Sequence, residues 1–345
     1  MKKIISKLMG GVLLFSLSMS LTSCEGALDD ILGEWSRPTP GSSTGGAVTS
    51  IDLDADEMKL TVGDKGQLTA KVDPAGTAVT WSSDKEEIAT VDANGMVTAV
   101  AVGTAIITAK AGDKTATCEV TVTPGLSTPL TVEAITAGTI KVAGPKAGMQ
   151  YSLNGGAKTA VTTTPIEVAA GGKVAFYGNG TSITSYNGTK IVGGTADIKV
   201  YGNIMSLVDE ENFATNYTTL PADYTFKSLF DNNANLKDAS GLLLPATTLA
   251  NYCYNFMFYG CTSLTAAPAL PATTLANYCY NFMFYGCTSL TTAYVKAAYT
   301  TTGDACNGMF YSCTADGAVL HTTTANKGDW SSGVPGNWTV ADDWN

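Results

Sequence analysis

Histidine and charge are both scarce in this chain. His321 is the only histidine among 345 residues, and charged residues make up 14% of the sequence. A single imidazole excludes a metal site built from several histidines and leaves one candidate for a histidine general base. His321 lies in a threonine-rich segment without a nucleophile motif around it, so we expect a surface or capping residue.

Basic residues are fewer than acidic ones. The chain has 20 Lys and Arg against 30 Asp and Glu, which gives a formal net charge of −10. Phosphate binding requires clusters of Lys and Arg, so this balance argues against a nucleic-acid partner and against lying flat on an anionic membrane. Low charge combined with abundant glycine and threonine favours strands and turns.

Motifs that would indicate catalysis or metal binding are missing. The sequence contains neither a P-loop nor a nucleophile elbow. Asp52, Asp54 and Asp56 alternate, but the glycine and distal glutamate of a calcium loop do not follow them, which favours a solvent-facing strand edge. We therefore expect a protein that is not an enzyme and has no cofactor, no metal site and no catalytic residue.

The N-terminus carries the features of an export signal. Lys2, Lys3 and Lys7 precede an apolar stretch, residues 8–21, that is too short to span a membrane. It ends at Leu21-Thr-Ser-Cys24, which looks like a bacterial lipobox. That resemblance implies cleavage of residues 1–23 and lipidation of Cys24, and a plain secretory peptide with a chance cysteine is the alternative.

The residues after Cys24 indicate a location. Glu25, Asp29 and Asp30 resemble the surface-export signal of Bacteroidota lipoproteins. The resemblance implies an outer-membrane lipoprotein exposed on the cell surface, with a periplasm-facing orientation as the alternative. Residues 24–47 are rich in Pro, Gly and Ser, so we expect a lipid anchor followed by a flexible tether.

Residues 48–124 alternate between short apolar patterns and turn signals. About seven strands in this length indicate a small β-sandwich. The segments Lys59-Leu-Thr-Val-Gly-Asp, Val79-Thr-Trp-Ser-Ser and Asn94-Gly-Met-Val-Thr-Ala resemble the group 2 bacterial immunoglobulin-like domain. The resemblance implies a spacer in a surface protein. Cys118 has the inward phase of its strand, which predicts a buried thiol.

Residues 125–205 predict a second β-rich unit. Asn154-Gly155-Gly156 separates two strand-like segments and is a strong hairpin signal. We expect a second β-sandwich that abuts the following repeats and caps the first of them.

A perfect internal repeat dominates residues 206–345. The 22 residues from Leu244 to Thr265 recur letter for letter from Leu270 to Thr291, and degraded copies on both sides extend the series to about four units. One unit alone cannot bury Phe256, Met257, Phe258 and Leu264, whereas stacked units make a continuous core. The predicted core columns are Phe230, Phe258, Phe284 and Phe310; Leu236, Leu264 and Leu290; and Asn233, Cys261, Cys287 and Cys313. Asn and Cys share the last column because both side chains can donate a hydrogen bond to a buried turn.

The repeat also resembles a known family. Phe258-x-x-Cys261-x-x-Leu264, followed by Leu270-Pro271, is similar to the BspA-like leucine-rich repeat, although Met257 stands where that unit usually has alanine. The resemblance implies a coil of strands and short turns on a bacterial surface, often with a role in adhesion to host or matrix proteins.

Two sets of residues in the repeats allow two interpretations each. Six cysteines there (Cys253, Cys261, Cys279, Cys287, Cys306, Cys313) follow the repeat register and not a metal-ligand spacing, which favours buried thiols over disulfides or a metal cluster. Trp330, Trp338 and Trp344 form either an aromatic cap on the end of the stack or a sugar-binding platform, and the need to cover an apolar end favours the cap.

Together these patterns predict a mainly β chain: an immunoglobulin-like sandwich, a second β-sandwich and a short leucine-rich repeat solenoid with a C-terminal cap. We expect a non-catalytic cell-surface lipoprotein, held to the outer membrane by its lipid, that binds host or matrix proteins or glycans through the repeats. A carbohydrate-capture accessory protein and a purely structural stalk are the alternatives.

Overall fold

The computed structural model describes residues 47–86, 88–100, 102–180, 183 and 185–344. The predicted signal peptide, the lipidation site Cys24 and the tether up to residue 46 lie outside the described residues. All elements of the fold belong to the compact unit Ala47–Asn345. No helix in the described ranges has the length and apolarity required to cross a membrane.

The first module is built from nine short strands. They are β1 (Ser50–Leu53), β2 (Glu57–Thr61), β3 (Lys65–Gln67), β4 (Ala70–Asp73), β5 (Thr80–Ser83), β6 (Ala89–Val91), β7 (Met96–Ala99), β8 (Gly103–Ala111) and β9 (Lys114–Thr123). They form sheets in the orders β1-β4, β2-β9-β8-β5 and β3-β7-β6. In β8, Ala105, Ile107 and Ala109 are buried at alternate positions, as a strand with one face on a core requires. Cys118 is buried in the same core.

The second module adds eight strands. They are β10 (Thr131–Ala134), β11 (Gly138–Ala143), β12 (Gln150–Leu153), β13 (Thr159–Ala160), β14 (Ile166–Val168), β15 (Lys173–Tyr177), β16 (Lys190–Gly194) and β17 (Ile198–Asn203), and a 3-10 helix, Ile204–Leu207, follows. One sheet has the order β14-β11-β16, and the other begins β13-β12-β15-β10-β17. Asn154 adopts a φ of 51° in the turn between the paired strands β12 and β13.

The repeats continue the larger sheet of the second module. Five strands, β18 (Leu236–Leu243), β19 (Ala266–Leu270), β20 (Thr292–Val295), β21 (Val319–His321) and β22 (Thr339–Ala341), follow β17 in sequence order. Each pairs with its predecessor in parallel, and β17 itself pairs in parallel with β18. Two 3-10 helices, Thr302–Asp304 and Asp329–Ser332, lie among the last repeats.

The second module and the repeats meet near residue 205 within one continuous sheet. β17 pairs with β10 on one side and with β18 on the other, so the first repeat strand covers what would be an exposed sheet edge. A single hydrophobic core also runs from Leu130 to Trp338. The described chain is mainly β, which confirms the coarse fold class.

Candidate binding face of the repeats

The segment between two repeat strands is a chain of successive β-turns. Every second amide, from Cys253 to Cys261, donates to the carbonyl three residues earlier. The intervening amides, those of Tyr252, Tyr254, Phe256, Phe258 and Gly260, donate instead to carbonyls 25 residues later, at 2.8 to 3.2 Å. Consecutive repeats are thus joined like strands of a parallel sheet, although their backbone is made of turns.

This backbone gives the side chains a period of four. Cys253 and Tyr254 point inward, Tyr252 and Phe256 are half-exposed, and Met257 and Phe258 point inward again. Tyr252, Phe256 and Gly260 have φ of 60°, 56° and 68°, and the next copy repeats this at Tyr278, Phe282 and Gly286 with 58°, 52° and 73°. Left-handed backbone is unfavourable for tyrosine and phenylalanine, so their stacking neighbours must hold these turns in place.

The interior carries stacked rings. Phe230, Phe258, Phe284 and Phe310 form one column with centroid spacings of 5.4, 5.3 and 5.6 Å. Leu236, Leu264 and Leu290 are fully buried beside it. Phe256, which the sequence assigned to the core, lies instead on the outer side because the period is four and its turn position is left-handed.

One buried column bonds each turn to the unit before it. Its members are Asn233, Cys261, Cys287 and Cys313. The three thiols donate to the carbonyls of Phe230, Phe258 and Phe284 at 3.1, 3.1 and 3.0 Å, and Asn233 Nδ2 donates to Ile191 at 3.2 Å. Burial raises the pKa of Cys261 to about 12. All seven cysteines in the described part of the chain are free and buried, and no cluster of His, Cys, Asp or Glu in that part could hold a metal ion.

Cys306 departs from the cysteine register. It follows Tyr280 by 26 residues, whereas Ala305 follows Cys279 by the same distance. Cys306 is buried where the earlier repeats place the rings of Tyr254 and Tyr280. The shorter spacing between Cys306 and Cys313, with six residues between them and not seven, already indicates in the sequence that Cys306 occupies a different position.

The C-terminal tryptophans pack against the last repeat. Trp330 is fully buried, its Nε1 donates to Ala297 at 2.9 Å, and its ring lies 6.0 Å from Phe310. Trp338 is 6% exposed and lies 5.1 Å from the same ring. These two rings are covered, which fits a cap and leaves no ring face for a sugar. Trp344 is half-buried, with its ring edge-on to Tyr294 at 5.8 Å.

His321 belongs to the same end of the stack. Its ring lies 4.4 Å from Tyr294, and its Nδ1 is 2.7 Å from a carboxylate oxygen of Asp343. This contact lowers the pKa of Asp343, chiefly through the hydrogen bond. The imidazole therefore joins the chain end to β21.

The outer side of the turns displays a second set of stacked rings, which we name the outer aromatic face. Its members are Tyr224, Tyr252 and Tyr278, with spacings of 5.0 and 4.5 Å; Phe256 and Phe282, at 5.5 Å; and Tyr259 and Tyr285, at 5.0 Å. Phe256 also meets Tyr259 edge-on at 5.5 Å, so the second and third rows touch. A hydrogen bond to Asp304 raises the pKa of Tyr278 at the end of the first row.

The central repeats contribute no charged side chain to this face, although the ammonium of Lys227 lies 6.0 Å from the ring centroid of Phe256. No Asp, Glu, Lys, Arg or His occurs between Asp238 and Lys296. At the first repeat, the ammonium of Lys227 lies 3.4 Å from the ring centroid of Tyr186, which packs edge-on against Tyr224. The face thus offers phenol hydroxyls, ring edges and asparagine amides, a composition similar to that of protein-binding loops. Sequence reasoning missed it because its rings become recognisable as outward positions only with a period of four.

Comparison with known proteins identifies one part of the chain. Residues 77–124 match the family model described as a bacterial Ig-like domain. A lacto-N-biosidase of Bifidobacterium bifidum is 43% identical over 90 residues, which are 25% of this chain and 8% of that protein. Ice-binding protein 1 of Shewanella frigidimarina is 28% identical over 174 residues, 48% of this chain and 20% of that protein. The chain therefore spans a small fraction of the curated relatives that it matches.

Solved structures match equally short parts. Domains 4 and 5 of the S-layer protein SbsC are 28% identical, with 22% of this chain and 52% of that chain covered and a TM-score of 0.20. A termite-gut GH10 xylanase that contains a bacterial Ig-like domain is 27% identical over 19% of this chain and 18% of that chain, with a TM-score of 0.18. What the family match establishes is that the chain contains a bacterial immunoglobulin-like domain within its first β module.

Proposed function

We propose that this chain is a non-catalytic cell-surface lipoprotein that binds host or matrix proteins or glycans through the repeats, and that the outer aromatic face is the binding surface. The observation that carries the proposal is the stretch of tyrosine and phenylalanine rings on the half-exposed side of two identical repeats, whose own sequences contain no charged residue. The centres of protein interfaces are depleted in charge and enriched in aromatic residues.

The stacking of the rings supports binding on energetic grounds. Fixing a mobile side chain at an interface costs about 0.5 to 1.5 kcal/mol. Tyr252 and Tyr278 are already parallel within 4° and separated by 4.5 Å, so most of their rotamer freedom is lost before any ligand arrives. A ligand therefore meets a preorganised surface, and tyrosine supplies both an apolar ring and a hydrogen-bonding hydroxyl.

The remaining parts of the chain complete the proposal. Residues 1–23 are removed as a signal peptide, Cys24 carries the lipid, residues 24–47 form the tether, and residues 48–124 act as a spacer. Residues 125–205 form a second β-sandwich that caps a BspA-like leucine-rich repeat solenoid over residues 206–345. The Phe-x-x-Cys-x-x-Leu frame and the hydrogen bonds from Cys261 and Cys287 to the preceding turns support this assignment.

Location on the outer side of the membrane can be tested directly. Protease added to whole cells should remove the chain if it faces outward and leave it intact if it faces the periplasm. Loss of membrane association in a Cys24→Ser variant is the expected consequence of a lipid anchor. A variant that stays in the membrane fraction would contradict the anchor.

The binding role is tested by removing rings from the face. We expect the full-length chain to bind at least one of a set of immobilised matrix proteins, mucins and glycans. The double variant Tyr252→Ser, Tyr278→Ser should weaken that binding at least about tenfold, or ~1.4 kcal/mol. Ile135→Ser removes an exposed apolar side chain (46% exposed) from the second module and serves as the control. Binding that survives the double variant, or binding to nothing in the set, contradicts the proposal.

Carbohydrate capture is the second candidate, supported by the partial similarity to a lacto-N-biosidase. Because Trp330 and Trp338 are covered, this function would fall to exposed tyrosines and to Trp344. Binding of glycans but of no protein by the full-length chain would favour carbohydrate capture. A chain that binds neither would favour a structural stalk, and turnover of a polysaccharide would contradict the non-catalytic role.

A further inference from the structure

The third row of the outer aromatic face ends in a groove. Tyr259 and Tyr285 stack at 5.0 Å, but Tyr311, the next member by sequence, leaves the stack and is 58% exposed. The space beside it is lined by Tyr285, Tyr311, Ser312, Ser332, Val334 and Pro335 and has a volume of about 330 Å³. This volume lies at the small end of the range for small-molecule sites.

The wall opposite Tyr311 is held rigidly. Gly333 packs so closely that a Cβ on it would lie 2.5 Å from the ring of Tyr299 and 2.8 Å from that of Trp330. Its amide donates to the carbonyl of Trp330 at 2.9 Å, and Trp330 is itself bonded to Ala297. The groove therefore exists before a ligand binds, which lowers the entropic cost of binding.

The lining limits what can bind there. None of the lining residues is charged, so an ionic ligand would lose its hydration without gaining a counter-charge. Tyr311 and Pro335 offer apolar surface, and the hydroxyls of Ser312 and Ser332 can both donate and accept hydrogen bonds. A sugar ring has the matching chemistry, since one face of C–H groups can lie on an aromatic ring while its hydroxyls point sideways.

We infer that this groove, between Tyr311 and residues 332–335, binds one neutral pyranose unit of a glycan, with Tyr311 as the stacking ring. The inference deepens the proposed binding role and rests on it. A proline-rich peptide also prefers aromatic grooves, but it needs several consecutive contacts, whereas this groove has a volume of only about 330 Å³ and carries serine hydroxyls.

Saturation-transfer difference NMR on the full-length chain tests this inference. The probes are the neutral methyl pyranosides of glucose, galactose, mannose and N-acetylglucosamine, with methyl glucuronide as the charged probe and decaproline as the peptide probe. We expect millimolar binding of at least one neutral pyranoside, with the strongest transfer to its ring C–H protons and none to the glucuronide.

Variants then locate the site. Tyr311→Ala should weaken binding at least about tenfold, while Tyr311→Phe, which keeps the ring, should change it less than about threefold. Tyr186→Ala is the matched control, because Tyr186 is 64% exposed and lies in the second module, where it packs against Tyr224 and not at the groove. Unchanged urea midpoints in all three variants show that folding is intact.

The outcomes separate this inference from the proposed function. Equal losses in Tyr311→Ala and Tyr186→Ala, or no binding of any neutral pyranoside, would overturn it. Binding of decaproline lost with Tyr311→Ala would assign the groove to peptides instead. The variant Tyr252→Ser, Tyr278→Ser should keep sugar binding while losing the macromolecular partner, so either idea can fail alone.

Discussion

Two glycines at equivalent positions of the identical copies provide a sharp test of how the repeats pack. Gly260 and Gly286 have the same neighbours in sequence and similar left-handed backbone, with φ of 68° and 73°. They differ in the repeat beneath them. A Cβ on Gly260 would lie 2.6 Å from Oδ1 of Asn232, whereas the nearest atom to a Cβ on Gly286 is Cα of Gly260, at 3.8 Å.

The two alanine variants should therefore lose different amounts of stability. Left-handed backbone costs an alanine about 1 to 2 kcal/mol, and this applies at both sites. Gly286→Ala should lose about that much, because its methyl group has room. In Gly260→Ala the side chain of Asn232 must also leave its rotamer, which adds about 0.5 to 1.5 kcal/mol.

Urea unfolding of the purified chain, followed by tryptophan fluorescence, measures the difference. A third variant, Asn232→Gly, removes the obstructing side chain, so the gap between the two alanine variants should close in that background. Equal losses at both sites, or a gap that persists with glycine at residue 232, would show that Asn232 does not restrict the packing at Gly260.

Four further results are expected. Burial raises the pKa of Cys261 and Cys313 to about 12, so maleimide should label neither thiol until urea unfolds the repeats. Because the pKa of each thiol is raised in the folded state, its contribution to stability is complete below the unfolded pKa of about 8.5. Above that pH the contribution declines by up to ~1.4 kcal/mol per pH unit until about pH 12. A Cys261→Ser variant should therefore lose less of its urea midpoint as the pH rises, and a slope identical to that of the unaltered chain would contradict this. The hydroxyl of Tyr254 is buried without a hydrogen-bond partner among the described residues, so Tyr254→Phe should raise the unfolding free energy by about 1 kcal/mol, and a lower urea midpoint would show that the hydroxyl is satisfied. Trp330→Ala uncovers Phe310 and should cost about 3 to 5 kcal/mol, with hydrogen exchange accelerating first in the last repeat; uniform acceleration along the stack would argue against a cap.

The sequence indicates the general class of fold because its strongest signals are local or exactly periodic in the chain. The alternation of the buried residues Ala105, Ile107 and Ala109 in the strand Gly103–Ala111 can be read directly from the sequence. The immunoglobulin-like module that contains this strand is confirmed. A 26-residue offset likewise places Phe258 over Phe284 once the copies stack, and the structure has these rings 5.3 Å apart.

Other features of the fold and of the candidate site could not be predicted, because they depend on backbone conformations that residue type does not indicate. Phe256 reads as a core residue because it is large and apolar, but its left-handed turn position turns it outward. The pairing of β17 with β18 could not be predicted either, because the sequence of Ile198–Asn203 does not indicate that a parallel strand will pair with its free edge. The groove beside Tyr311 arises from a loop more than 20 residues away in sequence, which no local pattern could reveal.

The identity of the two central copies has a consequence for how this protein can change over generations. Each copy donates its turn amides to carbonyls of the unit after it and accepts, at its own turn carbonyls, the amides of the unit before it. A gene that gained another such unit would therefore add a layer whose two contacts already exist, and one that lost a unit would rejoin matching surfaces. The stack can therefore lengthen or shorten in whole units while its terminal units, which shield it from water, stay unchanged.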